Sequence, residues 1–254
     1  MKKCLTLLMC AVLISFTSCQ FSENIYVNED GSGTVKFSMD ASEMMDVLEQ
    51  LGENAADEMG KAVDSTIVFK DFLVKYKDSI SKLSLEEQEK VKAMEDYTLH
   101  MVMDPHEKKM FFDIETDFDN ANELRDMYKA MNNFNSLKGD ETASDNLPLS
   151  PFSSMGNEGS TLVSYSYNGK VFKRNVEIID VEKHQKSLDS IDKSALMLGS
   201  SKYVVNYHFP KPIKSFSKEG AMYSEDRKTV TYTVGFIAML KDPEILNLEV
   251  VLED

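Results

Sequence analysis

Tryptophan is absent from this 254-residue chain, and cysteine, histidine and proline are scarce, with three, four and six copies. Without Trp the broadest ring for stacking against sugars is missing, although ten Tyr and fourteen Phe leave other aromatic surfaces available. The histidines, His100, His106, His184 and His208, never stand three to five residues from one another or from a Cys, so zinc-finger and His-Glu-x-x-His spacings are excluded. Ordinary structural roles are expected for all four. Basic charge is short as well, with 28 Lys and Arg against 43 Asp and Glu and a net of −15. Such a field disfavours phosphate backbones and anionic headgroups, which need clustered cations, so no nucleic-acid partner is expected. The acidity reads first as a solubilising surface and second as a source of divalent-cation ligands.

Motifs of catalysis are missing too. No Gly-x-Ser-x-Gly elbow occurs, and no Gly-x-x-x-x-Gly-Lys loop. Gly31 and Gly33 precede a strand pattern, whereas a dinucleotide fingerprint opens a helix. No catalytic residue, cofactor-binding residue or metal ligand is therefore assigned, and the chain reads as a non-enzyme. A hydrolase site assembled from distant residues stays open as a third reading.

A long apolar run occurs only at the N-terminus. Met1-Lys2-Lys3 leads into Leu5, Leu7, Leu8, Met9, Ala11, Val12, Leu13 and Ile14 and then Phe16-Thr17-Ser18-Cys19, the layout of a positive n-region, a short apolar region and a small-residue cleavage site. Cys4 to Phe16 spans 13 residues. A bilayer-crossing helix needs about 20. The tetrapeptide resembles the lipobox of bacterial lipoproteins, with Phe16 where Leu is usual. That resemblance implies cleavage of residues 1–18 as a signal peptide and a diacylglycerol on Cys19. Loss of Lys2 and Lys3 would leave 26 basic against 43 acidic residues, a net of −17. Cys4 and Cys10 would leave with the signal peptide, so the mature chain could form no internal disulfide and must depend on its core. Each buried acyl CH₂ contributes about 0.8 kcal/mol, so several chains anchor durably.

The mature chain reads as α+β: antiparallel β-hairpins and sheets packed with amphipathic helices, in two halves that each start ββα. Gln20 to Glu23 reads as a brief tether. Ile25, Val27 and then Val35, Phe37, Met39 alternate with polar residues around Asn28-Glu29-Asp30-Gly31-Ser32-Gly33, which predicts a hairpin. Met44, Leu48, Leu51, Ala55 and Met59 come next at helical spacing, with Asp40 or Ser42 as cap. Phe69, Phe72, Leu73, Tyr76, Ile80 and Leu83 predict the clearest amphipathic helix, with a face that should be buried. Ser84-Leu85-Glu86-Glu87 forms a capping box for another, which should end near Glu95. Tyr97 to Met103 and Met110 to Thr116 form a second hairpin around Asp104-Pro105-His106-Glu107, and Asp117 or Asp119 is expected to cap a helix carrying Ala121, Leu124, Met127, Tyr128, Met131 and Phe134.

Residues 135–160, rich in Gly, Asp, Ser and Asn with little apolar periodicity, read as a linker or long loop. This separates an N-terminal α+β region, 19–134, from a C-terminal one, 161–254. The latter opens with strands flanking Asn168-Gly169, a strong hairpin signal, and continues into a helix marked by Val181, Leu188, Ile191, Ala195 and Leu198. Tyr203 to Phe209, Ala221 to Tyr223, Thr229 to Phe236 and Leu246 to Leu252 read as strands, with a helical turn at Ile237 to Lys241 and with Pro210 and Pro212 ending the first strand.

Three local patterns invite chemistry. Asn28, Asp30 and Ser32 with Gly33 mimic half of a calcium loop, but the twelfth position is Met39, where a bidentate Glu is required, and the hairpin reading is preferred. Asp113, Glu115 and Asp117 alternate on one strand face as a paired-acid pattern, though a solvated face explains the same spacing. Met101, Met103, Met127 and Met131 sit on apolar faces, where core filling is the first reading and an adaptable pocket the second.

The lipobox, the stretch Cys-Gln-Phe-Ser-Glu-Asn-Ile-Tyr-Val-Asn-Glu-Asp-Gly-Ser-Gly from Cys19, and Tyr-His-Phe-Pro-Lys-Pro-Ile-Lys-Ser-Phe-Ser from Tyr207 resemble an uncharacterised envelope lipoprotein family of Bacteroidota. The chain is also similar to the LppM-type envelope lipoprotein domain. These resemblances imply an envelope α+β module attached to its membrane through Cys19, with a protein or lipid ligand of unspecified kind. Gln20-Phe21-Ser22-Glu23 carries neither an Asp directly after the Cys nor a run of acids, so an outer-membrane anchor facing the periplasm is expected first and cell-surface exposure second. The expected function is a non-enzymatic binding or scaffolding module, with a carrier of lipid or another apolar ligand as the alternative.

Overall fold

A computed structural model describes residues 20–43, 45, 62–126 and 159–254. The signal peptide, Cys19, most of the helix expected after Ser42, the second half of the one expected over 121–134, and residues 135–158 of the expected linker lie outside these. Among the described residues are five helices and twelve strands in two antiparallel-rich sheets, an α+β fold.

The first hairpin pairs β1 (Gln20–Val27) with β2 (Gly33–Asp40). Its turn takes a positive φ at Gly31, and the Asp30 carboxylate accepts the Ser32 amide at 3.0 Å. Gly33 is needed for space, because a Cβ there would meet the Tyr26 carbonyl oxygen at 1.9 Å. The strand begins at Gln20, so the expected tether does not exist: Phe21, Glu23, Ile25 and Val27 all point into the core. A charged residue at the second inward position had broken the apolar alternation.

β3 (Val63–Val68), an edge strand with no fully buried side chain, precedes the segment read as one long amphipathic helix. That segment is two short helices, α1 (Phe69–Lys75) and α2 (Lys77–Ile80), separated at Tyr76, whose ψ of 19° departs from helical geometry. Only Phe69 is buried in them; Val74 is 75 % exposed. The Ser84 box caps α3 (Leu85–Lys92), with the Glu87 amide on Ser84 Oγ at 3.3 Å and the Ser84 amide on Glu87 Oε2 at 2.8 Å. β4 (Thr98–Asp104) and β5 (Lys109–Phe118) form the second hairpin, with Asp104 accepting the amides of His106 and Glu107 in its turn. Neither Asp117, which lies inside β5, nor Asp119 acts as the expected helix cap. A 3-10 turn over Ala121–Asp126 starts instead at Asn120, whose side chain accepts the Asn122 amide at 2.9 Å.

β6 (Thr161–Tyr167) and β7 (Val171–Ile178) enclose the Asn168-Gly169 turn, with Gly169 at positive φ. Asp180 caps α4 (Val181–Leu198) by accepting the Lys183 amide at 2.9 Å. β8 (Lys202–His208) ends before Pro210, but the chain resumes as β9 (Ile213–Phe216), a strand not expected so near two prolines. β10 is reduced to Met222–Tyr223, β11 runs Thr229–Gly235, α5 covers Phe236–Lys241 and β12 closes the chain at Leu248–Leu252.

One sheet has the order β10-β11-β8-β1-β2-β5-β4-β3, and the other β6-β7-β12-β9. The segment after residue 160 therefore supplies the whole small sheet and three strands of the large one, joining it by the parallel β1–β8 pair. Side chains of both regions enter one buried cluster: Phe21, Phe37, Phe112, Phe172, Tyr207 and Val250 belong to it together. Phe172 of the small sheet meets Tyr207 of the large one edge-on at 5.2 Å, and Phe21 stacks on Phe236 of α5 at 4.0 Å.

Candidate functional site

Alternation along β1 directs Glu23 inward at the middle of the large sheet, opposite Phe37 of β2 and Val205 of β8. Its relative exposure is 0 %, an unusual place for a carboxylate. The same alternation on β7 turns Arg174 inward from the small sheet, 2 % exposed and opposite Tyr165 of β6 and Leu248 of β12. Tyr203 and Tyr207 lie two residues either side of Val205 and share its inward face.

These five side chains converge. Arg174 Nε donates to Glu23 Oε1 and Nη2 to Oε2, both at 3.3 Å, a bidentate pairing. Tyr207 donates to Oε1 at 2.6 Å, Tyr165 to Oε1 at 3.0 Å and Tyr203 to Oε2 at 2.7 Å. Arg174 Nη1 donates to the Leu246 carbonyl at 3.2 Å. Burial pushes the Glu23 carboxyl up, but the Arg174 charge and the Tyr207 and Tyr203 hydroxyls outweigh it and hold the carboxyl below its ordinary value. Burial would lower Arg174, yet Glu23 keeps it well above its usual value; burial and then Glu23 also push the Tyr207 phenol well up. At neutral pH the cluster thus holds one anion at Glu23, one cation at Arg174 and a neutral phenol at Tyr207. A carboxylate receiving five donors is a poor base and has no lone pair turned to a substrate, so the arrangement locks the sheets together and gives no reactive oxygen.

The outer face of the large sheet is built differently. Its side chains are exposed or half-buried along most of its width, and they join across the strands: Thr231 donates to Asn206 at 2.8 Å, Asn206 to Asn24 at 3.0 Å, and Lys36 pairs with Asp113 at 2.9 Å. His100 Nε2 lies 3.0 Å from Asp64 and its Nδ1 3.9 Å from Asp113. Tyr26 stacks on His208 with ring centroids 4.2 Å apart and planes 4° from parallel; burial holds that imidazole below its ordinary value. Among the described residues the result is a broad, mostly polar sheet face that carries the Tyr26–His208 ring pair.

The residues singled out from sequence fall in separate places. Cys19 lies outside the described residues. Asp113 and Asp117 share the outer face with Glu115, but they are engaged separately, Asp113 by Lys36 and Asp117 by the Thr34 hydroxyl at 2.6 Å, while Glu115 stands opposite Lys36 and Thr98. Asp30 and Ser32 bond each other within their turn, and Met39 is buried. His106 is in the β4–β5 turn, and His184 lies in the first turns of α4, buried at 6 % exposure with Nε2 3.4 Å from the Lys241 carbonyl. Met101 and Met103 fill the core at 2 % and 3 % exposure, while Met127 and Met131 lie outside the described residues. Among the described residues no group of three or more His, Cys, Asp or Glu side chains could hold a metal ion, and no helix is long and apolar enough to cross a membrane.

No family model, curated protein or solved structure matches this chain. Sequence reasoning missed the cluster entirely, though a signal was present: Glu23 and Arg174 each occupy an inward position of an otherwise apolar alternation, with opposite charges.

Proposed function

We propose that the chain is a membrane-anchored envelope lipoprotein, held through a lipid on Cys19 and facing the periplasm from the outer membrane, that acts as a non-enzymatic binding or scaffolding module. The observation that carries the second half of this reading is the contrast, among the described residues, between one continuous buried cluster and an open polar face. Phe21, Phe37, Phe172, Tyr203 and Tyr207 occupy the space between the sheets, and the Glu23–Arg174 pair plugs its centre. The lipobox-like Phe16-Thr17-Ser18-Cys19 supports the anchor half of the reading.

Mass spectrometry of the protein purified from its own membranes, beside a Cys19→Ala variant, tests both halves. A diacylated Cys19 with no stoichiometric ligand is the expected result, together with loss of membrane retention in the variant. A stoichiometric lipid would replace the scaffold by the carrier. An unmodified Cys19 would remove the anchor.

A further inference from the structure

The large sheet starts with no intervening linker after the residue expected to carry the lipid. Gln20 is already paired with Asp40 on one side and Lys202 on the other, and Cys19 is its immediate neighbour in the chain. Successive Cα atoms are about 3.8 Å apart, so acyl chains on Cys19 would hold this end of the sheet against the headgroups. The opposite end, at the Asn28–Ser32 turn, lies about 25 Å away at the rise of an extended strand.

The Gln20 end also carries apolar side chains in exposed positions. Phe111 stands opposite Asp40 on the outer face, next to Val102 of β4, and is 37 % exposed; Val63 at the start of β3 is also 37 % exposed. Lys202 and Asp40 bring both signs of charge to this end, so contact does not depend on anionic lipid.

We propose that the Gln20 end of the eight-stranded sheet rests directly on the bilayer, with Phe111 and Val63 among the headgroups, so that the anchor orients the protein as well as retaining it. This rests on the lipid-anchor reading. The sheet then stands upright, with its polar face turned sideways along the membrane and its Asn28–Ser32 turn outermost.

A newly introduced cysteine would be the only free thiol of the mature chain, which makes the test direct. Full-length lipidated protein carrying Phe111→Cys, Val63→Cys or Glu29→Cys is labelled with an environment-sensitive fluorophore and reconstituted into phosphatidylethanolamine vesicles containing brominated lipid. The Phe111→Cys and Val63→Cys labels should shift to the blue and lose most of their emission to the quencher, while the Glu29→Cys label keeps its own. Six Gly and Ser residues inserted after Cys19, reaching about 13 Å on average, should restore emission at both quenched sites. Equal behaviour at the two ends, in protein whose mass shows an acylated Cys19, would overturn the orientation and leave the anchor standing. An unacylated Cys19 would overturn both.

Discussion

The two faces of the eight-stranded sheet come from the same strands, residue by alternate residue, yet they treat polar groups in opposite ways. On the inner face Glu23 has no exposure at all and is surrounded by Arg174 and three tyrosines. On the outer face Lys36 and Asp113 keep 35 % and 28 % of their side-chain surface in water. The chemistry of the two ion pairs is similar, but water screens one and not the other. Removing charges from solvent costs several kcal/mol per ion, which only complete pairing offsets, so the inner cluster is weak evidence for net stability and stronger evidence for one specified sheet-on-sheet register. The outer pair holds almost nothing in place.

The largest expected effect comes from breaking the inner pair on one side. Arg174→Met should cost about 3–5 kcal/mol in urea unfolding at pH 7, because it strands a buried carboxylate. The pH dependence should reverse as well. In the native protein the Glu23 carboxyl lies below its ordinary value, so its contribution is full above the unfolded value and fades as pH falls through the folded one. Without Arg174 burial pushes the carboxyl up, and the variant should regain relative stability on acidification; a constant deficit across acid pH would contradict this account.

Next is the double variant Glu23→Leu with Arg174→Met. It should recover most of the loss, to within about 2 kcal/mol of the native protein, since neither charge is left unpaired. If the two losses simply add, the side chains do not act as a unit. Tyr203→Phe and Tyr207→Phe each remove one donor to a buried carboxylate and should cost about 1.5–3 kcal/mol, read from the shift of the urea midpoint. On the outer face Asn206→Ala, which severs the links to Asn24 and Thr231, should cost about 1 kcal/mol. Lys36→Ala should fall within about 1 kcal/mol of no change, and any residual effect should vanish in high salt. A large outer-face loss would mean that this face is packed against something.

Much of the fold was legible beforehand because hairpins and caps are local. The turns at Gly31 and Gly169, the Ser84 box and the helix from Val181 all depend on residues within a few positions of one another. What failed was of two kinds. Around Phe69 to Leu83 the helical spacing is real, but the break at Tyr76 and that residue's 40 % exposure show that periodicity does not guarantee one continuous helix or a partner for every face residue. At Gln20 to Glu23 a single charge concealed a strand, because pattern reading treats a carboxylate as a mark of solvent.

The sequence by itself determined the hairpins, the Ser84-capped helix, the α+β class, the acid surface and the scarcity of cysteine, since each arises from residue type and short-range spacing. Only the tertiary structure decided that β8 lies parallel to β1, so that segments before and after residues 135–160 share one sheet. It also decided that Glu23, Tyr165, Arg174, Tyr203 and Tyr207 meet. Their separations of 142 to 184 residues from Glu23 carry no local signal, and a buried charge is tolerable only where the whole fold brings its partners to it.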